Sequence, residues 1–190
     1  RVSPDGRSAL LTCAYPPRDV WLFDFDRQVE RRQTFEANQT YAIWGPGPDQ
    51  FTFDSDRGGY DGFYVKDINS GPGEVERLPM SIKGYHRPAS WSNDGKVLAL
   101  VAEGESGSFD VMTFTREGGV TPFLNSPFDE LFPEFSPDGR WLVYTSNESG
   151  VQEVYVRPWP GPGAATQVSK GTGTSPAWSK DGREIFYRGY

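Results

Sequence analysis

Short apolar runs and polar clusters alternate along the whole chain. Runs of about four to eight residues rich in Val, Leu, Phe, Tyr and Trp, such as WLVYTS, are bounded by Gly, Pro, Ser, Asn and Asp. Apolar residues do not recur at the three- and four-residue spacing of an amphipathic helix. The pattern therefore predicts brief strands joined by tight turns, and an all-β fold.

One turn phrase recurs at a nearly constant interval. The phrase FSPDGRWLVY, which begins at Phe135, has the variants VSPDGRSALL, WGPGPDQFTF, WSNDGKVLAL and WSKDGREIFY. Its aspartates are separated by 44, 45, 44 and 43 residues, and they are Asp5, Asp49, Asp94, Asp138 and Asp181. A period of about 40 to 45 residues without helical spacing is typical of four-stranded β-propeller blades. We expect about four blades' worth of antiparallel propeller in a single domain, residues 1–190.

The residues of the turn phrase suit a type I turn. In the segment Ser136-Pro137-Asp138-Gly139, Pro fixes φ at the second position and Gly fits the exit. The copy at Gly47 lacks the exit Gly, so its turn should be the least regular. We interpret the aromatic residue before each later turn as packing between neighbouring blades; these residues are Trp44, Trp91, Phe135 and Trp178.

Three further strands follow in each repeat. The predicted second strands are SALLTC, FTFDS, VLALVAE and WLVYTS, and the third strands are DVWLFDF, DGFYVKDI, DVMTFTR and EVYVRPW. The weakest predictions are the fourth strands, ERRQTF, EVERLPM, VTPFLN and TQVSK. Their charges, prolines and short lengths suit the edges of sheets.

Every predicted third strand opens with an acidic residue, namely Asp19, Asp61, Asp110 or Glu153. Equivalent positions on successive blades lie far apart around a ring, which disfavours a shared metal or catalytic centre. We interpret these acids as charges at the mouths of strands that also bond loop amides. A metal-binding or catalytic array is the alternative.

The composition excludes some classes of partner. With 36% hydrophobic and 15% aromatic residues the chain can bury a substantial core, while its net charge of −7 opposes nucleic-acid binding. The single cysteine, Cys13, excludes an internal disulfide and should be buried in its apolar strand. No apolar run reaches the roughly 18 residues of a membrane span.

The repeat starts and stops in mid-blade. Five second strands are predicted, but only four third and four fourth strands. We therefore expect a truncated propeller, which is either part of a larger one or closed by oligomerisation, because open apolar faces between blades favour association. Which terminus lacks blades stays open.

Three segments resemble a known family: FSPDGRWLVYTSNESGVQEVYVRPWPGPG, DSDRGGYDGFYVKDI and SPFDELFPEFSPDGR. They are similar to the TolB-like, WD-repeat-like propeller repeats in the extracytoplasmic part of bacterial serine/threonine kinases. Related repeats occur in TolB itself and in prolyl-oligopeptidase-like peptidases. The resemblance implies a sensor or interaction domain on the periplasmic or extracellular side of a bacterial membrane. The sequence lacks kinase motifs, so any kinase activity would belong to another segment.

The sequence offers little for chemistry. The string Gly104–Ser108 lacks the second Gly of a nucleophile elbow, and a Ser-His-Asp mechanism would have to use His86, which we expect on a loop surface. The segment Asp54–Asp61 alternates acids like a calcium loop, but Val65 stands where a bidentate carboxylate is needed. We predict no catalytic residue, cofactor or metal.

Loops at one end of a propeller channel commonly contact partners. The loops PMSIKGYHRP and NSPFDEL, and the loop after FTFDS, combine polar and aromatic residues as binding surfaces do. The predicted binding residues are Tyr85, His86, Arg87, Phe128, Asp129, Glu130, Arg57 and Tyr60. We expect recognition of a protein, peptide or small ligand. One alternative is a propeller that gates substrate entry to a peptidase, which predicts an adjacent hydrolase domain. Another is a self-assembling structural repeat without a ligand.

Overall fold

Antiparallel sheets built from consecutive strands make up the chain. The structure, a computed structural model, describes residues 1–13, 16, 18–59, 61–104 and 106–189. The chain divides into two compact units, Arg1–Ser81 and Ile82–Tyr190. The predicted all-β class with four-stranded antiparallel blades is confirmed.

The first unit contains a three-stranded and a four-stranded sheet. The three-stranded sheet has β2 in its centre and consists of β1 (Ser8–Thr12), β2 (Val20–Asp24) and β3 (Val29–Arg32). The four-stranded sheet follows chain order, with β4 (Gln39–Trp44), β5 (Gln50–Ser55), β6 (Gly62–Asp67) and β7 (Glu76–Arg77). A short 3-10 turn, Arg57–Gly59, follows β5.

The second unit repeats this plan. One four-stranded sheet contains β8 (His86–Trp91), β9 (Leu98–Glu103), β10 (Phe109–Thr115) and β11 (Gly119–Leu124). The next contains β12 (Glu130–Phe135), β13 (Trp141–Ser146), β14 (Glu153–Pro158) and β15 (Thr166–Gln167). A two-stranded sheet contains β16 (Thr174–Trp178) and β17 (Ile185–Arg188). The weakly predicted fourth strands include β7 and β15, which have only two residues each.

Apolar side chains on the middle strands form the core of each unit. In the first unit Phe51 and Phe53 of β5 are fully buried, with ring centroids 5.5 Å apart. In the second unit Leu142 of β13 is fully buried and packs in a cluster with Tyr144 and Tyr155. Each such side chain contributes about 1.5 to 3 kcal/mol through its burial.

Side-chain hydrogen bonds hold the repeated turn. The Ser136 hydroxyl donates to Asp138 Oδ1 over 2.6 Å and accepts the Trp141 N–H over 3.0 Å. Gly139 has a φ of 69° and its N–H donates to the Ser136 carbonyl over 2.9 Å. The bonds that Asp138 accepts, of which the one from Ser136 is the strongest, lower the pKa of its carboxyl to about 2. The Gly47 turn has no such serine and uses the Gln50 side chain instead, in line with its predicted irregularity.

Two of the acids that open the third strands bond hydroxyl groups where loop amides were predicted. Asp19 and Glu153 are each 3% exposed. A hydroxyl just after the adjacent edge strand donates a hydrogen bond to each carboxylate. The same hydroxyl accepts a hydrogen bond from the N–H of the residue that follows the acid. Thr34 does this for Asp19, and Ser169 for Glu153. The interpretation as charges at the strand mouth was wrong for these two, because the side chains turn inward where a hydroxyl can satisfy them.

The expectation for Cys13 needs correction, whereas Trp44 and Phe135 pack against core clusters as predicted. Cys13 is exposed, because β1 ends at Thr12 and the cysteine falls just beyond the sheet. Of the aromatic residues before the turns, Phe135 is buried at 5% exposure, whereas Trp44, Trp91 and Trp178 are half-buried. Trp178 also bonds through its indole N–H to the Glu134 carbonyl, 3.2 Å away.

Candidate functional site

Six of the eight predicted binding residues lie in the second unit, where β8 and β12 begin. They are Tyr85, His86, Arg87, Phe128, Asp129 and Glu130. Arg57 lies in the first unit, directly after β5. Tyr60 lies outside the described residues. We call Tyr85, Phe128 and Asp129 the aromatic surface, and Asp110 with Glu130 the acid pair.

The start of β10 joins the two halves of the aromatic surface. The Tyr85 ring meets the Phe109 ring edge-on, with centroids 5.5 Å apart and planes at 65°. The Phe109 N–H donates to Asp129 Oδ1 over 3.0 Å. Two loops about forty residues apart in sequence therefore meet at one strand end, as their equivalent positions in the repeat allow.

Hydrogen bonds fix the loop that carries Phe128. Asp129 and Asn147 bond reciprocally: the Asp129 N–H donates to Asn147 Oδ1 over 2.9 Å, and Asn147 Nδ2 donates to Asp129 Oδ2 over 3.2 Å. The Phe128 N–H donates to Ser126 Oγ over 3.2 Å. Since the backbone is held on both sides, the half-exposed Phe128 ring projects from a fixed base.

Arg87 is positioned by stacking. Its guanidinium lies 4.5 Å from the centre of the Phe132 ring. Phe132 has a φ of 55° and stands where the pairing of β12 with β13 shifts register, between Leu131 and Glu134. A bulky residue with positive φ is uncommon and indicates that the surrounding structure holds it in place.

His86 is not on a loop surface, as the sequence suggested. It opens β8, pairs with Ala102 of β9 and is only 7% exposed. Its Nδ1 lies 2.9 Å from the Gly84 carbonyl oxygen. β8 begins at His86, within the segment PMSIKGYHRP that was expected to be a loop, and the side chain is buried at this strand end.

The acid pair is buried beneath this region. Asp110 and Glu130 are each 4% exposed, and neither Asp110 Oδ1 nor Glu130 Oε2 has a hydrogen-bond partner among the described residues. Burial raises the pKa of Glu130 to about 7; the Ser126 hydroxyl bond opposes the rise, and the charges of Asp110, Glu148 and Asp129 add to it. Burial also raises the pKa of Asp110.

Arg57 makes its contacts within the first unit. Its guanidinium stacks on two rings of the first unit, 5.4 Å from the Phe53 centroid and 5.2 Å from that of Tyr64. Its carbonyl oxygen accepts a hydrogen bond from the Tyr64 hydroxyl over 3.0 Å. These contacts give Arg57 a packing role at the end of β5.

Acidic residues of the calcium-like segment are engaged in protein contacts. Asp56 accepts two hydrogen bonds from Asn38, one from its N–H at 2.9 Å and one from Nδ2 at 3.0 Å. Within the described ranges there is no group of three or more His, Cys, Asp or Glu side chains arranged to hold a metal ion. Over the same part of the chain, no helix has the length and apolar character needed to cross a membrane.

Sequence comparison identifies a relative that is longer than this chain. The chain is 24% identical over 204 residues to an uncharacterized protein from Agrobacterium fabrum, and the alignment covers 100% of this chain and 68% of that protein. The chain therefore spans about two thirds of this relative.

Solved structures share the fold. A protein designated TolB from Agrobacterium tumefaciens matches with a TM-score of 0.82 at 17% identity, covering 98% of this chain and 67% of that one. TolB from Acinetobacter baumannii matches with a TM-score of 0.72 at 25% identity, covering 92% of this chain and 44% of that one. Prolyl endopeptidases match with a TM-score of 0.59 at 13% identity, covering 90% of this chain and 29% of theirs.

The family model supplies the assignment. The model described as the TolB β-propeller domain matches residues 1–181. This range contains the turn aspartates of all five copies of the turn phrase and the four sheets that precede the last one. The chain belongs to the TolB β-propeller domain family.

Proposed function

We propose that the chain is a non-catalytic recognition module that binds a protein or peptide partner through the aromatic surface. The observation that carries this proposal is the exposure of two rings on a fixed backbone: Tyr85 is 41% and Phe128 39% exposed. Aromatic side chains are enriched at the energetic centres of interfaces. Because hydrogen bonds already hold the Phe128 loop, binding would cost little ordering entropy.

The family supports a place outside the cytoplasm, as in TolB itself, and the resemblance of the repeats to kinase sensor regions supports a sensor role. In this role the module would report the presence of its partner to a segment elsewhere in the protein. Fusing alkaline phosphatase to the chain in its native gene tests the location, because that enzyme is active only after export. Activity of a cytoplasmic reporter in the same position would contradict it.

Site-specific photo-crosslinking in cells tests the binding surface. A benzophenone amino acid placed at Phe128 of the full-length protein should give a discrete adduct on irradiation. Trp141 offers a matched control, because it is 38% exposed and stands at the opposite end of β13 from Asn147. Equal adducts from both positions, or none at Phe128, would contradict the proposed surface.

A second experiment separates binding from folding. Replacing Tyr85 and Phe128 together by Ala should weaken binding of the protein found in the crosslinked adduct. The melting temperature should change little, because both rings are half-exposed. Including His86 in the replacement would be uninformative, since that side chain is buried at the start of β8. The Trp141→Ala variant serves as the control and should bind normally.

A further inference from the structure

A cationic pocket lies in the first unit, between the end of β3 and the turn after β6. Its volume is about 230 Å³. Its lining includes Arg31, Arg32, Phe35, Lys66, Ile68 and Ser70. Among the residues that the structure describes, this lining holds three basic side chains and no carboxylate, in a chain whose net charge is −7. The lining residues themselves therefore carry a net positive charge, although the whole molecule is negative.

One of the three cations is already neutralised. Arg32 Nη2 lies 2.6 Å from Asp19 Oδ2, and Arg32 Nε donates to the Thr34 carbonyl over 2.9 Å. The Arg32 guanidinium also stacks 4.9 Å from the Phe35 ring centre. Arg32 thus forms a wall of the pocket and adds little net charge to it.

The other two cations meet neutral acceptors. Arg31 Nη2 donates to the Ile68 carbonyl over 3.0 Å, which leaves most of its five N–H donors for another acceptor. Lys66 is 2% exposed, and its ammonium donates to Ser70 Oγ over 2.9 Å and to the Gly71 carbonyl. Burial lowers the pKa of Lys66, and the nearby charge of Arg31 adds to that effect, while carboxylates outside the lining oppose it.

We propose that this pocket binds a dianionic oxyanion, phosphate or sulfate, either free or as a monoester. Among the described residues, the printed hydrogen bonds of Arg31 and Lys66 go to neutral groups, and their two positive charges match the two negative charges of one small anion. The guanidinium of Arg31 offers the planar donor fork that suits oxyanions, and the Lys66 ammonium supplies a fixed charge at the pocket wall. The Arg31 bond to Ile68 holds the fork in place before the anion arrives.

Isothermal titration calorimetry with inorganic phosphate at constant ionic strength tests the proposal. The wild-type protein should give saturable binding at one site, and Arg31→Gln should raise the dissociation constant by about tenfold or more. Arg27→Gln is the matched control: the Arg27 side chain is 82% exposed, is paired with Asp24 and does not line the pocket. This control variant should bind phosphate like the wild type.

A parallel titration with phenyl phosphate distinguishes the two sources of the group. Binding of the monoester as tight as that of phosphate would identify a site for phosphorylated molecules, and binding of phosphate alone would identify a free-ion site. Absence of saturable binding with both probes would overturn the proposal. An equal loss in the Arg27→Gln and Arg31→Gln variants would also overturn it, because it would indicate general charge attraction.

Discussion

Replacing Glu130 by Gln should remove the contribution of this side chain to the pH dependence of stability between about pH 4.5 and pH 7. Gln has the shape of a protonated Glu but cannot ionise. Glu130 is 4% exposed and sits beside the buried Asp110 carboxylate. The wild-type side chain must therefore give up its proton in surroundings that disfavour the charge.

The sign and size of the effect follow from the pKa. Burial raises the pKa of Glu130 from 4.5 to about 7 in the folded state. The folded state thus holds a proton at pH values where the unfolded state has lost it. The contribution of Glu130 to the free energy of unfolding is complete below about pH 4.5 and declines as the pH rises through 7. The full change is at most about 3 kcal/mol.

Urea denaturation of wild type and Glu130→Gln across this pH range measures the effect. The difference in unfolding free energy between the two proteins should move in favour of the variant as the pH rises. Asp110→Asn is the second test: removing the neighbouring charge should lower the pKa of Glu130, which carbon-13 NMR of the carboxyl group can follow.

Parallel stability curves for wild type and Glu130→Gln would refute this reasoning. They would mean that Glu130 titrates alike in the folded and unfolded states. A carboxyl resonance with its midpoint near the ordinary pKa of 4.5 would show the same thing directly. Either result would indicate that water reaches the acid pair and relieves the burial.

Three further predictions concern individual positions. Gly104→Ala should lower the unfolding free energy by about 1 to 3 kcal/mol in urea denaturation, because its Cβ would overlap the Asp110 carboxylate; Gly73→Ala, with open space around its Cβ, should be nearly neutral. Ser169→Ala should lower the unfolding free energy by about 3 kcal/mol in the same assay, because a buried N–H and a buried carboxylate lose their hydrogen-bond partner. Ser169→Thr, which keeps the hydroxyl, should lower it less. Cys13 should react fully with a thiol reagent in the native protein; protection until unfolding would contradict its exposure.

Much of the fold could be predicted from periodicity alone. The turn phrase set the register of each repeat, and the predicted strand VLALVAE corresponds to β9 at Leu98–Glu103. Continuous apolar runs carry this information because an inner strand is buried on both faces, as the first five residues of β9 are. The loop residues were located for the same reason: the repeat places Tyr85 and Phe128 at equivalent strand ends, although the contact through Phe109 could not be read from the sequence.

Burial of polar groups was harder to predict. His86 and Cys13 were assigned to the wrong environments because one residue at a strand end decides whether a side chain turns inward. The acids that open the third strands were recognised as a set, but the hydroxyl partners of Asp19 and Glu153 lie 15 or 16 residues further along the chain, just after the adjacent edge strand. Periodicity indicates where a strand begins, but it does not indicate which side chain donates a hydrogen bond to the acid at the start of the strand.

The repeated structure also identifies where one copy departs from the others. At Asp19 the neighbouring hydroxyl of Thr34 donates to the carboxylate, and at Glu153 the hydroxyl of Ser169 does so. In the copy that contains Asp110, the hydroxyl of Ser126 donates to Glu130 instead. A propeller sheet can therefore satisfy this acid locally, whereas Asp110 Oδ1 has no hydrogen-bond partner among the described residues. The fold does not require the Asp110 copy to differ from the Asp19 and Glu153 copies. We therefore expect selection for function to have acted on the acid pair, which lies beside the aromatic surface.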